Sequence, residues 1–258
     1  MYKEPDIYGL VGYPLGHSYS QHFFSEKFER EGINARYENF EIPQISDIVE
    51  IIAIPGLKGF NVTIPYKQAI IPYLDRISPL ARKANAVNVV KVLDMPDGTR
   101  VLEGHNTDCG GFLYDIKPLL TPQHRKALIL GTGGAAHAIC TALEEIGISS
   151  IRVSRNSNTD SVRYSDLSEQ TMQEHKLIVQ CTPLGMYPDI HSYPPVPYGA
   201  IGHGHICYDL VYNPDPTQFM ARCAAQGATV RGGIGMLHQQ AILAWEIWND
   251  NSHNISSK

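Results

Sequence analysis

The chain alternates between short apolar runs and segments in which apolar residues recur at helical spacing. Apolar runs of about four to eight residues predict strands, and apolar residues every three or four positions predict helices. Phe23, Phe24 and Phe28, for example, share one face of a predicted helix. The predicted strands lie at 7–14, 35–42, 60–64, 126–130, 150–155, 176–181 and 205–211. The predicted helices lie at 20–32, near 44–53, from Pro65 onward, and at 108–120, 135–147, 216–226 and 235–248.

The alternation of strands and helices predicts an α/β protein with parallel sheets covered by helices on both faces. A predicted hairpin interrupts it, with strands at 87–93 and 99–105 and a turn at Asp97-Gly98. The alternation then begins again at residue 126, after the helix at 108–120. Two such series suggest two α/β domains with that helix as the bridge between them.

Lys67 has an unfavourable position in this scheme. Proline fits the first position of a helix, so Pro65 predicts that a helix begins there and that Lys67 falls in its first turn. The N-terminal end of a helix carries partial positive charge and disfavours a cation. Lys67 is therefore either an ordinary solvated lysine or a residue kept for its chemistry.

Composition narrows the possible functions. Apolar residues make up 43% of the chain and charged residues 18%, which is enough to form a packed core. The net charge of -5 and the scattered basic residues give no reason to expect nucleic acid or an anionic membrane as a partner. There are eleven histidines but no H-E-x-x-H motif, so we expect no metal site.

The cysteines and the N-terminus indicate a cytoplasmic protein. The cysteines are odd in number, widely spaced and without a C-x-x-C pair, which argues against a disulfide framework or a zinc cluster and for a reducing compartment. They are Cys109, Cys140, Cys181, Cys207 and Cys223. The first ten residues are too polar for a signal peptide, and no apolar run reaches the ~18 residues that a membrane helix needs.

The segment GTGGAAHA follows the strand predicted at 126–130 without a gap. Gly131, Gly133 and Ala136 match the G-x-G-x-x-G/A spacing of dinucleotide-binding loops. The first glycine allows a tight turn, the second lets a pyrophosphate approach the backbone, and the small third residue lets the helix pack on the strand. A structural glycine turn is the alternative, but the strand–loop–helix–strand context favours a Rossmann-like dinucleotide domain.

The end of the next strand indicates which dinucleotide binds. An NAD enzyme usually places Asp or Glu there to hold the ribose 2′-hydroxyl. This chain instead has Ser154, Arg155 and Asn156, with no acid before Asp160. An arginine suits a 2′-phosphate, so we expect NADP, although a solvent-facing arginine at a strand end is the alternative.

Seven segments, in order, resemble the motifs of the shikimate dehydrogenase family over roughly residues 7 to 245. GYPLGHSYS resembles its G-x-P-x-x-H-S-x-S motif and GFNVTIPYK its N-V-T-x-P-x-K motif. The others are NAVN, GHNTD, CTPLGM, YDLVYNP and GIGMLHQQA. The resemblance implies a substrate domain of residues 1–107 plus 233–258 and an NADP-binding domain of residues 108–232, with a cleft between them. It also implies reversible NADP-dependent reduction of 3-dehydroshikimate to shikimate, a step in aromatic amino acid biosynthesis.

The same resemblance implies roles for individual residues. Lys67 and Asp108 correspond to the catalytic pair. The implied substrate contacts include both of these residues and Ser18, Ser20, Asn61, Thr63, Asn88, Tyr212 and Gln240. The implied cofactor contacts are Gly131, Thr132, Gly133, Gly134, Ala135, Ser154, Arg155, Asn156, Thr182, Val211, Gly233 and Met236. The implied partner is a small-molecule substrate, and the protein would act as a monomer or homodimer.

Two positions depart from the family pattern. Gln21 stands where the second serine of the first motif is usually followed by proline. Many relatives place a second basic residue shortly after the arginine, whereas this chain has Asn158 and Thr159 in that region. The second departure weakens the expected preference for NADP.

The implied chemistry suits these side chains. Ser18 and Ser20 share a parity, so in an extended segment both hydroxyls point one way, toward one carboxylate; helix capping is the alternative. A lysine beside a ketone can donate a proton to the alkoxide that hydride transfer creates. Asp108 could instead serve as an acid in the first turn of its helix, and the two roles are compatible. Quinate/shikimate dehydrogenase with broader cofactor use and a non-catalytic NADP-binding sensor remain alternatives.

Overall fold

The computed structural model describes residues 4–16, 19–156 and 161–250. The chain forms two compact units. The first runs through Thr107 and resumes at Ala241, and the second is Asp108–Gln240. The predicted second domain ends at residue 232, whereas the second compact unit ends at Gln240, eight residues later in the sequence. Within the described residues, no helix combines the length and the apolar character needed to cross a bilayer.

The first unit is built on a mixed sheet. Its described strands are β1 (Asp6–Gly12), β2 (Ala35–Glu41), β3 (Leu57–Val62), β4 (Arg76–Ile77), β5 (Val89–Asp94) and β6 (Arg100–His105). They lie in the order β2-β1-β3-β5-β6-β4. β5 is antiparallel to both of its neighbours, and the other pairs are parallel. The helices are α1 (Tyr19–Glu31), α2 (Ile48–Ile52) and α3 (Pro79–Ala84), with 3₁₀ turns at Ile45–Asp47 and Ile71–Tyr73.

The side chains of this sheet alternate between two hydrophobic clusters, as the period of a strand requires. Ile7 and Val11 of β1 belong to one cluster, and Tyr8 between them belongs to the other. Tyr8 packs with Phe24 of α1 and with Trp248 near the end of the chain. The Trp248 indole N–H donates to the carbonyl of Val90 at 3.0 Å, which fixes this last helical turn on the sheet.

The helix predicted from Pro65 is wrong. After Thr63 the chain forms consecutive turns and then the 3₁₀ turn at Ile71–Tyr73. In an α-helix the Ile71 N–H would donate to the Lys67 carbonyl, but it donates to the Gln68 carbonyl at 3.2 Å, and the Lys67 carbonyl accepts the N–H of Val87 at 2.7 Å. Lys67 therefore does not lie in the first turn of a helix, and the electrostatic objection to its position disappears.

The second unit contains an all-parallel sheet. Its described strands are β7 (Lys126–Leu130), β8 (Ser149–Ser154), β9 (Ser161–Arg163), β10 (Leu177–Gln180), β11 (Ile206–Asp209) and β12 (Thr229–Gly232). The order is β12-β11-β10-β7-β8-β9, so the winding reverses between β7 and β10. This is the strand order of the Rossmann fold, in which ligands bind at the carboxyl ends of the strands beside the reversal. The predicted fold class, α/β with a Rossmann-like second domain, is confirmed.

Along the sequence, each helix of the second unit falls between two of these strands, except that the first helix precedes β7 and the last follows β12. They are α4 (Asp108–Ile116), α5 (Gly134–Glu145), α6 (Glu169–Glu174), α7 (Gln218–Ala225) and α8 (Ile234–Asn249), with 3₁₀ turns at Lys117–Leu119, Tyr164–Asp166 and Tyr198–Ala200. The first seven residues of α8 belong to the second unit, and the remainder belongs to the first. The short elements α3, α6, β4, β9 and β12 were not predicted, because two to six residues are too few to show a period.

Candidate active site

Several strand ends of the first sheet meet at one edge. β1, β3 and β6 are parallel and end there, and the antiparallel β5 begins there. Asn61 lies near the end of β3, Asn88 directly precedes β5, and Thr107 follows β6. All three are buried although they are polar. A buried polar group needs hydrogen-bond partners, and these residues supply them to one another.

A chain of hydrogen bonds crosses this edge. The Tyr37 hydroxyl donates to Asn61 Oδ1 at 2.7 Å, and Asn61 Nδ2 donates to the Asn88 carbonyl at 3.3 Å. Asn88 Nδ2 donates to Thr107 Oγ1 at 2.9 Å, while Asn88 Oδ1 accepts the Thr107 N–H at 2.7 Å. Asn88 therefore braces the segment that leads directly into Asp108. An amide side chain offers two donors and two lone pairs, so each asparagine can both donate to and accept from its neighbours.

Ser20 joins the same network. It lies in the first turn of α1, is buried, and forms a hydrogen bond with the phenol of Tyr37. The single Tyr37 proton goes to Asn61, so Ser20 is the donor in this bond. Burial raises the pKa of Tyr37 well above its ordinary value, so the phenol stays neutral and continues to donate. Ser18, the other predicted carboxylate contact, lies outside the described residues.

Thr63 and Lys67 occupy the turns that follow β3. Thr63 N–H donates to the Val11 carbonyl at 2.9 Å, and the Tyr66 hydroxyl donates to the Ile42 carbonyl at 2.7 Å. The Lys67 carbonyl is held by Val87, the residue before Asn88. Both side chains are half-buried. The bond from Val87 fixes the backbone of Lys67 close to Asn88, although Lys67 lies in a turn and not in a helix.

Asp108 is the first residue of α4 and is 5% exposed. A carboxylate in the first turn is favoured by the partial positive charge of the helix end. The two residues before it are fixed by Asn88 and by the bond from Asn106 Nδ2 to the Ala86 carbonyl at 2.9 Å. The structural and the catalytic interpretations of Asp108 therefore remain compatible, as the sequence indicated.

The glycine loop of the second unit lies where the winding of the sheet reverses. Gly131 has a φ of +126°, which L side chains rarely adopt, and its N–H donates to the Val153 carbonyl at 2.8 Å. A Cβ on Gly133 would meet no protein atom within 4 Å. Packing within the protein thus does not require this glycine, whereas close approach of a pyrophosphate does. Ala136 is buried where α5 packs on the sheet, so the residues present fit a dinucleotide.

Thr182 lies beside this loop. A Cβ on Gly131 would come within 3.2 Å of Thr182 Cγ2, so the ends of β7 and β10 are adjacent. The buried Gln180 holds Thr182 in place, since its Oε1 accepts from the Thr182 N–H at 2.9 Å and from the hydroxyl at 2.8 Å. Gln180 was not among the predicted site residues. The one signal for it in the sequence is that a polar residue ends the apolar run LIVQ.

Val211 and Gly233 are brought together at the ends of β11 and β12. The carbonyl of Val211 accepts the Gly233 N–H at 3.5 Å, and a Cβ at Gly233 would clash with the Leu210 carbonyl oxygen. Asp209, which is fully buried, accepts the Val211 N–H at 2.9 Å and the Thr217 hydroxyl at 2.6 Å. Burial raises the pKa of Asp209 to about 7. Asp209 was not among the predicted site residues either, although an acid at the end of the apolar run ICYD could have indicated it.

Ser154, Arg155 and Asn156 lie at and after the end of β8. The Ser154 hydroxyl is bonded to the Asn156 carbonyl and lies 3.2 Å from the Ser161 hydroxyl. Arg155 is exposed, as a residue that receives a phosphate must be. Asn158 and Thr159, where relatives often have a second basic residue, lie outside the described residues.

The remaining predicted contacts lie on the loop after β11 and on α8. Tyr212 is 37% exposed, and partial burial raises the pKa of its phenol. Met236 and Gln240 are 7% exposed on the first half of α8, and Gln240 Nε2 donates to the Leu237 carbonyl at 2.9 Å. Most of the predicted site residues thus lie at strand ends within each unit, and the others lie on α1, α4, α5 and α8. Their individual roles stay predictions.

The comparisons with known proteins bear on the family of the chain. The family model of the shikimate dehydrogenase substrate binding domain matches residues 10–90. The NADP(+) shikimate dehydrogenase of Bacillus cereus strain B4264 is 33% identical over 96% of this chain and 94% of that protein.

Two solved structures are similar along nearly the whole chain. Shikimate 5-dehydrogenase from Listeria monocytogenes, in complex with shikimate and NAD, has a TM-score of 0.82 at 27% identity and covers 96% of this chain and 93% of its own. The Thermus thermophilus enzyme, in complex with NADP(H) and shikimate, has a TM-score of 0.81 at 29% identity and covers 95% and 93%. With the seven ordered motifs and the Bacillus relative, these likenesses show that the chain belongs to the shikimate dehydrogenase family.

Proposed function

We propose that this protein is an oxidoreductase that catalyses the reversible NADP-dependent reduction of 3-dehydroshikimate to shikimate, a step in aromatic amino acid biosynthesis. The observation that carries the proposal is the match over nearly the whole chain to a relative named NADP(+) shikimate dehydrogenase. The backbone near the two proposed catalytic residues supports it: the Lys67 carbonyl accepts from Val87, and Asp108 directly follows Thr107, whose N–H donates to Asn88.

Shikimate carries one carboxylate and three hydroxyls on a small ring, and the polar edge of the first unit offers matching groups. Ser18 and Ser20 are the proposed contacts of the carboxylate. Ser20 would donate to it by turning its single hydroxyl proton away from Tyr37. The contacts proposed for the ring hydroxyls are Asn61, Thr63, Asn88, Tyr212 and Gln240. The supporting observation is that Asn61 and Asn88 are buried at this edge and are held by hydrogen bonds with Tyr37 and Thr107, which fixes the positions of two amide groups. Rigid placement lowers the entropy cost of binding.

Lys67 and Asp108 would carry the proton chemistry. NADPH, when bound, supplies the hydride that reduces the ketone carbon. Lys67 Nζ would donate a proton to the oxygen that gains negative charge and would stabilise that charge as it develops. The Asp108 carboxylate would accept a hydrogen bond from a neighbouring ring hydroxyl and orient the ring. In the oxidation direction the same lysine takes the proton back, since the reaction is reversible.

The proposed NADP site uses the backbone at Gly131, Thr132, Gly133, Gly134 and Ala135 for the pyrophosphate and the exposed Arg155 for the 2′-phosphate. Ser154, Asn156, Thr182, Val211, Gly233 and Met236 would complete it. The open space at Gly133 and the exposure of Arg155 support this assignment. The Listeria relative was solved with NAD and the Thermus relative with NADP(H), so cofactor choice within the family needs its own test.

We also propose a cytoplasmic location and action as a monomer or homodimer, without nucleic acid or membrane partners. The five cysteines, all within the described residues, form no disulfide, which suits a reducing compartment. Each cysteine lies in or beside a secondary-structure element, and none is exposed.

The deciding experiment is the oxidation of shikimate by the purified protein with NADP⁺ and with NAD⁺ side by side, followed by absorbance at the NADPH band, and repeated with quinate. We expect turnover with shikimate and NADP⁺ above the other three combinations. Comparable turnover of quinate would favour the broader quinate/shikimate activity. Binding of NADP⁺ without turnover of either acid would favour a non-catalytic sensor and would refute the proposed function.

A further inference from the structure

A cluster of three side chains in the second unit links α4, which carries Asp108, with β11 and β12, which lead into Val211 and Gly233. Asp115 of α4, with a side chain only 3% exposed, forms an ion pair with Arg231 of β12. Arg231 Nε lies 3.1 Å from Asp115 Oδ1, and the Tyr208 hydroxyl of β11 donates to Asp115 Oδ2 at 2.8 Å. None of these three residues belongs to the predicted site, so their arrangement requires a separate explanation.

The sheet explains how Tyr208 and Arg231 reach the same carboxylate. They are direct partners in the parallel register of β11 and β12, so their side chains lie on one face of the sheet. Phe112, one turn before Asp115 on α4, packs edge-on against the Tyr208 ring with 5.1 Å between centroids. Burial and the neighbouring Asp115 raise the pKa of Tyr208, and the hydrogen bonds that Arg231 donates to Asp115 raise the pKa of Arg231. Tyr208 is therefore a neutral donor and Arg231 a permanent cation.

The same carboxylate lies against the start of α8. A Cβ on Gly235 would come within 2.5 Å of Asp115 Oδ1, so only glycine fits there without a shift. One turn earlier on α4, a Cβ on Gly111 would lie 2.8 Å from the Met236 carbonyl oxygen and 3.1 Å from Gln240 Cβ. The two glycines thus let α4 and the first half of α8 approach closely, with no spare room between them.

Asp108 shares this contact face of α4. Residues three and four apart lie on the same side of a helix, so Asp108, Gly111 and Asp115 form one line along α4. Gly111 and Asp115 contact the half of α8 that carries Gln240. The position of Asp108 relative to Gln240 therefore depends on where the cluster holds the two helices.

We propose that Asp115, with Tyr208 and Arg231, is a positioning residue for the reaction: it fixes the packing of α4 on α8 that places Asp108 and Gln240 for the same substrate. This inference rests on the proposed function, since it needs both residues to contact the substrate. A displacement of about 1 Å between groups that hold one substrate can cost about 10²-fold in rate. A purely structural ion pair would instead change stability and leave the kinetics of the folded enzyme unchanged.

The first test compares Asp115→Asn and Tyr208→Phe with a matched control. Asp115→Asn keeps the volume and an acceptor for Tyr208 but removes the charge that holds Arg231. Glu103→Gln is the control, because Glu103 is equally buried and pairs with Arg76 at 2.9 Å in the first unit. We expect kcat/KM for shikimate to fall by about 10- to 100-fold in the Asp115 variant and to stay near wild type in the control. Wild-type kcat/KM in a folded Asp115→Asn enzyme would overturn the proposal.

A double-mutant cycle then asks whether Asp115 acts through Gln240. Effects of independent sites add, whereas effects of coupled sites do not. We expect Asp115→Asn to cost much less kcat/KM in a Gln240→Ala background than in the wild type. Arg231→Lys, which keeps the charge, should retain more activity than Arg231→Met. Additive losses in the cycle, which would mean that Asp115 does not act through Gln240, or equal losses in the two Arg231 variants would overturn the proposal.

Hydrogen exchange of the backbone amides tests the packing of α4 on α8 without a measurement of enzyme activity. In Asp115→Asn, the amides of residues 237–240 should exchange faster than in the wild type, while those of residues 243–249 should not change. Unchanged exchange at 237–240 would refute the positioning role even if the enzyme oxidises shikimate. If the wild type fails to oxidise shikimate but exchange at 237–240 responds to Asp115→Asn, the proposed function falls and the packing role stands.

Discussion

The side chain of Asn88 forms two hydrogen bonds with Thr107, one to its hydroxyl at 2.9 Å and one from its N–H at 2.7 Å. Asn88 directly precedes β5, and Thr107 directly precedes Asp108. One buried amide therefore ties the start of a strand to the segment that carries a proposed catalytic residue. These two hydrogen bonds should contribute to the free energy of unfolding whatever substrate the protein binds.

Replacing Asn88 by alanine should lower the free energy of unfolding by about 1–3 kcal/mol, because the Thr107 N–H would be buried without its partner. Thr107→Val should cost less, since it removes the hydroxyl and leaves the N–H bond to Asn88 Oδ1 in place. Asn249→Ala is the control: that amide bonds the Trp245 carbonyl at the surface. Urea unfolding monitored by circular dichroism measures all three. A loss for Asn88→Ala no larger than for Asn249→Ala would contradict the brace.

Lys67→Ala should lower kcat for shikimate oxidation by about 10²–10⁴-fold, the range expected for a positioned proton-transfer group. The Michaelis constant should change much less, because the charge on the reacting oxygen exists mainly in the transition state. The structure supports a folded variant, since the Lys67 backbone carbonyl, not its side chain, holds Val87. Steady-state kinetics and a circular dichroism spectrum test both points.

Lys58→Ala is the matched control for this prediction. Lys58 lies in β3, nine residues earlier, and its side chain pairs at the surface with Asp94 at 3.0 Å. It should keep wild-type turnover. A folded Lys67→Ala enzyme that turns over as fast as Lys58→Ala would return Lys67 to the role of a solvated lysine.

The sequence predicted the features that depend on neighbouring residues. The spacing of Gly131, Gly133 and Ala136 is local chemistry, so the strand, loop and helix around it were placed within about two residues. The continuous apolar runs of β7, β10 and β11 likewise indicated a parallel sheet buried on both faces. The resemblance to a known family then identified residues that spacing alone leaves as ordinary polar side chains.

What the sequence missed depends on distant partners. Where the sequence predicted a helix from Pro65, the chain forms turns, and the Lys67 carbonyl accepts from Val87, twenty positions further on. Tyr37 reaches Asn61 across 24 positions, and Asp115 reaches Arg231 across 116. No local sequence pattern contains such pairs. The hydrogen bonds that hold the proposed site residues in place therefore had to be found in the fold, which brings the distant partners together.

Arg155→Asp should shift preference from NADP⁺ toward NAD⁺, since it replaces a cation that can pair with the 2′-phosphate by an acid that can accept from the ribose 2′-hydroxyl. One charged hydrogen-bonding contact is worth about 1.5–3 kcal/mol, so the dissociation constant of NADP⁺ should rise about 10- to 150-fold. Calorimetric titration with NADP⁺ and NAD⁺ measures both affinities directly.

Arg125→Asp provides the same change of charge within the same unit. Arg125 directly precedes β7 and so lies at the amino end of the strands, opposite the glycine loop. It should leave both dinucleotide affinities near wild type. If Arg155→Asp and Arg125→Asp weaken NADP⁺ equally, net charge explains the effect; if neither weakens it, Arg155 is a surface residue without a cofactor role.

Asp209 should make the stability of the protein depend on pH. Burial raises its pKa in the folded state to about 7, above the ordinary 3.8 that applies to the unfolded chain. The folded state therefore holds a proton that the unfolded state releases between these values. The contribution of this proton to stability is fully present below about pH 3.8 and is lost as the pH rises to about 7, with a slope of at most about 1.4 kcal/mol per pH unit.

Asp209→Asn should remove this dependence while keeping the local bonds. Its amide oxygen can accept the Val211 N–H, and its nitrogen can donate to the Thr217 hydroxyl, the two groups that Asp209 now contacts. The asparagine variant should therefore gain stability relative to the wild type as the pH rises from 5 to 7, the upper part of the window over which Asp209 releases its proton. Urea unfolding of both proteins at intervals of half a pH unit gives the difference directly. A difference that stays constant across this range would mean that Asp209 ionises in the folded protein as it does in the unfolded chain, and that the loop carrying Val211 is held by a carboxylate already charged.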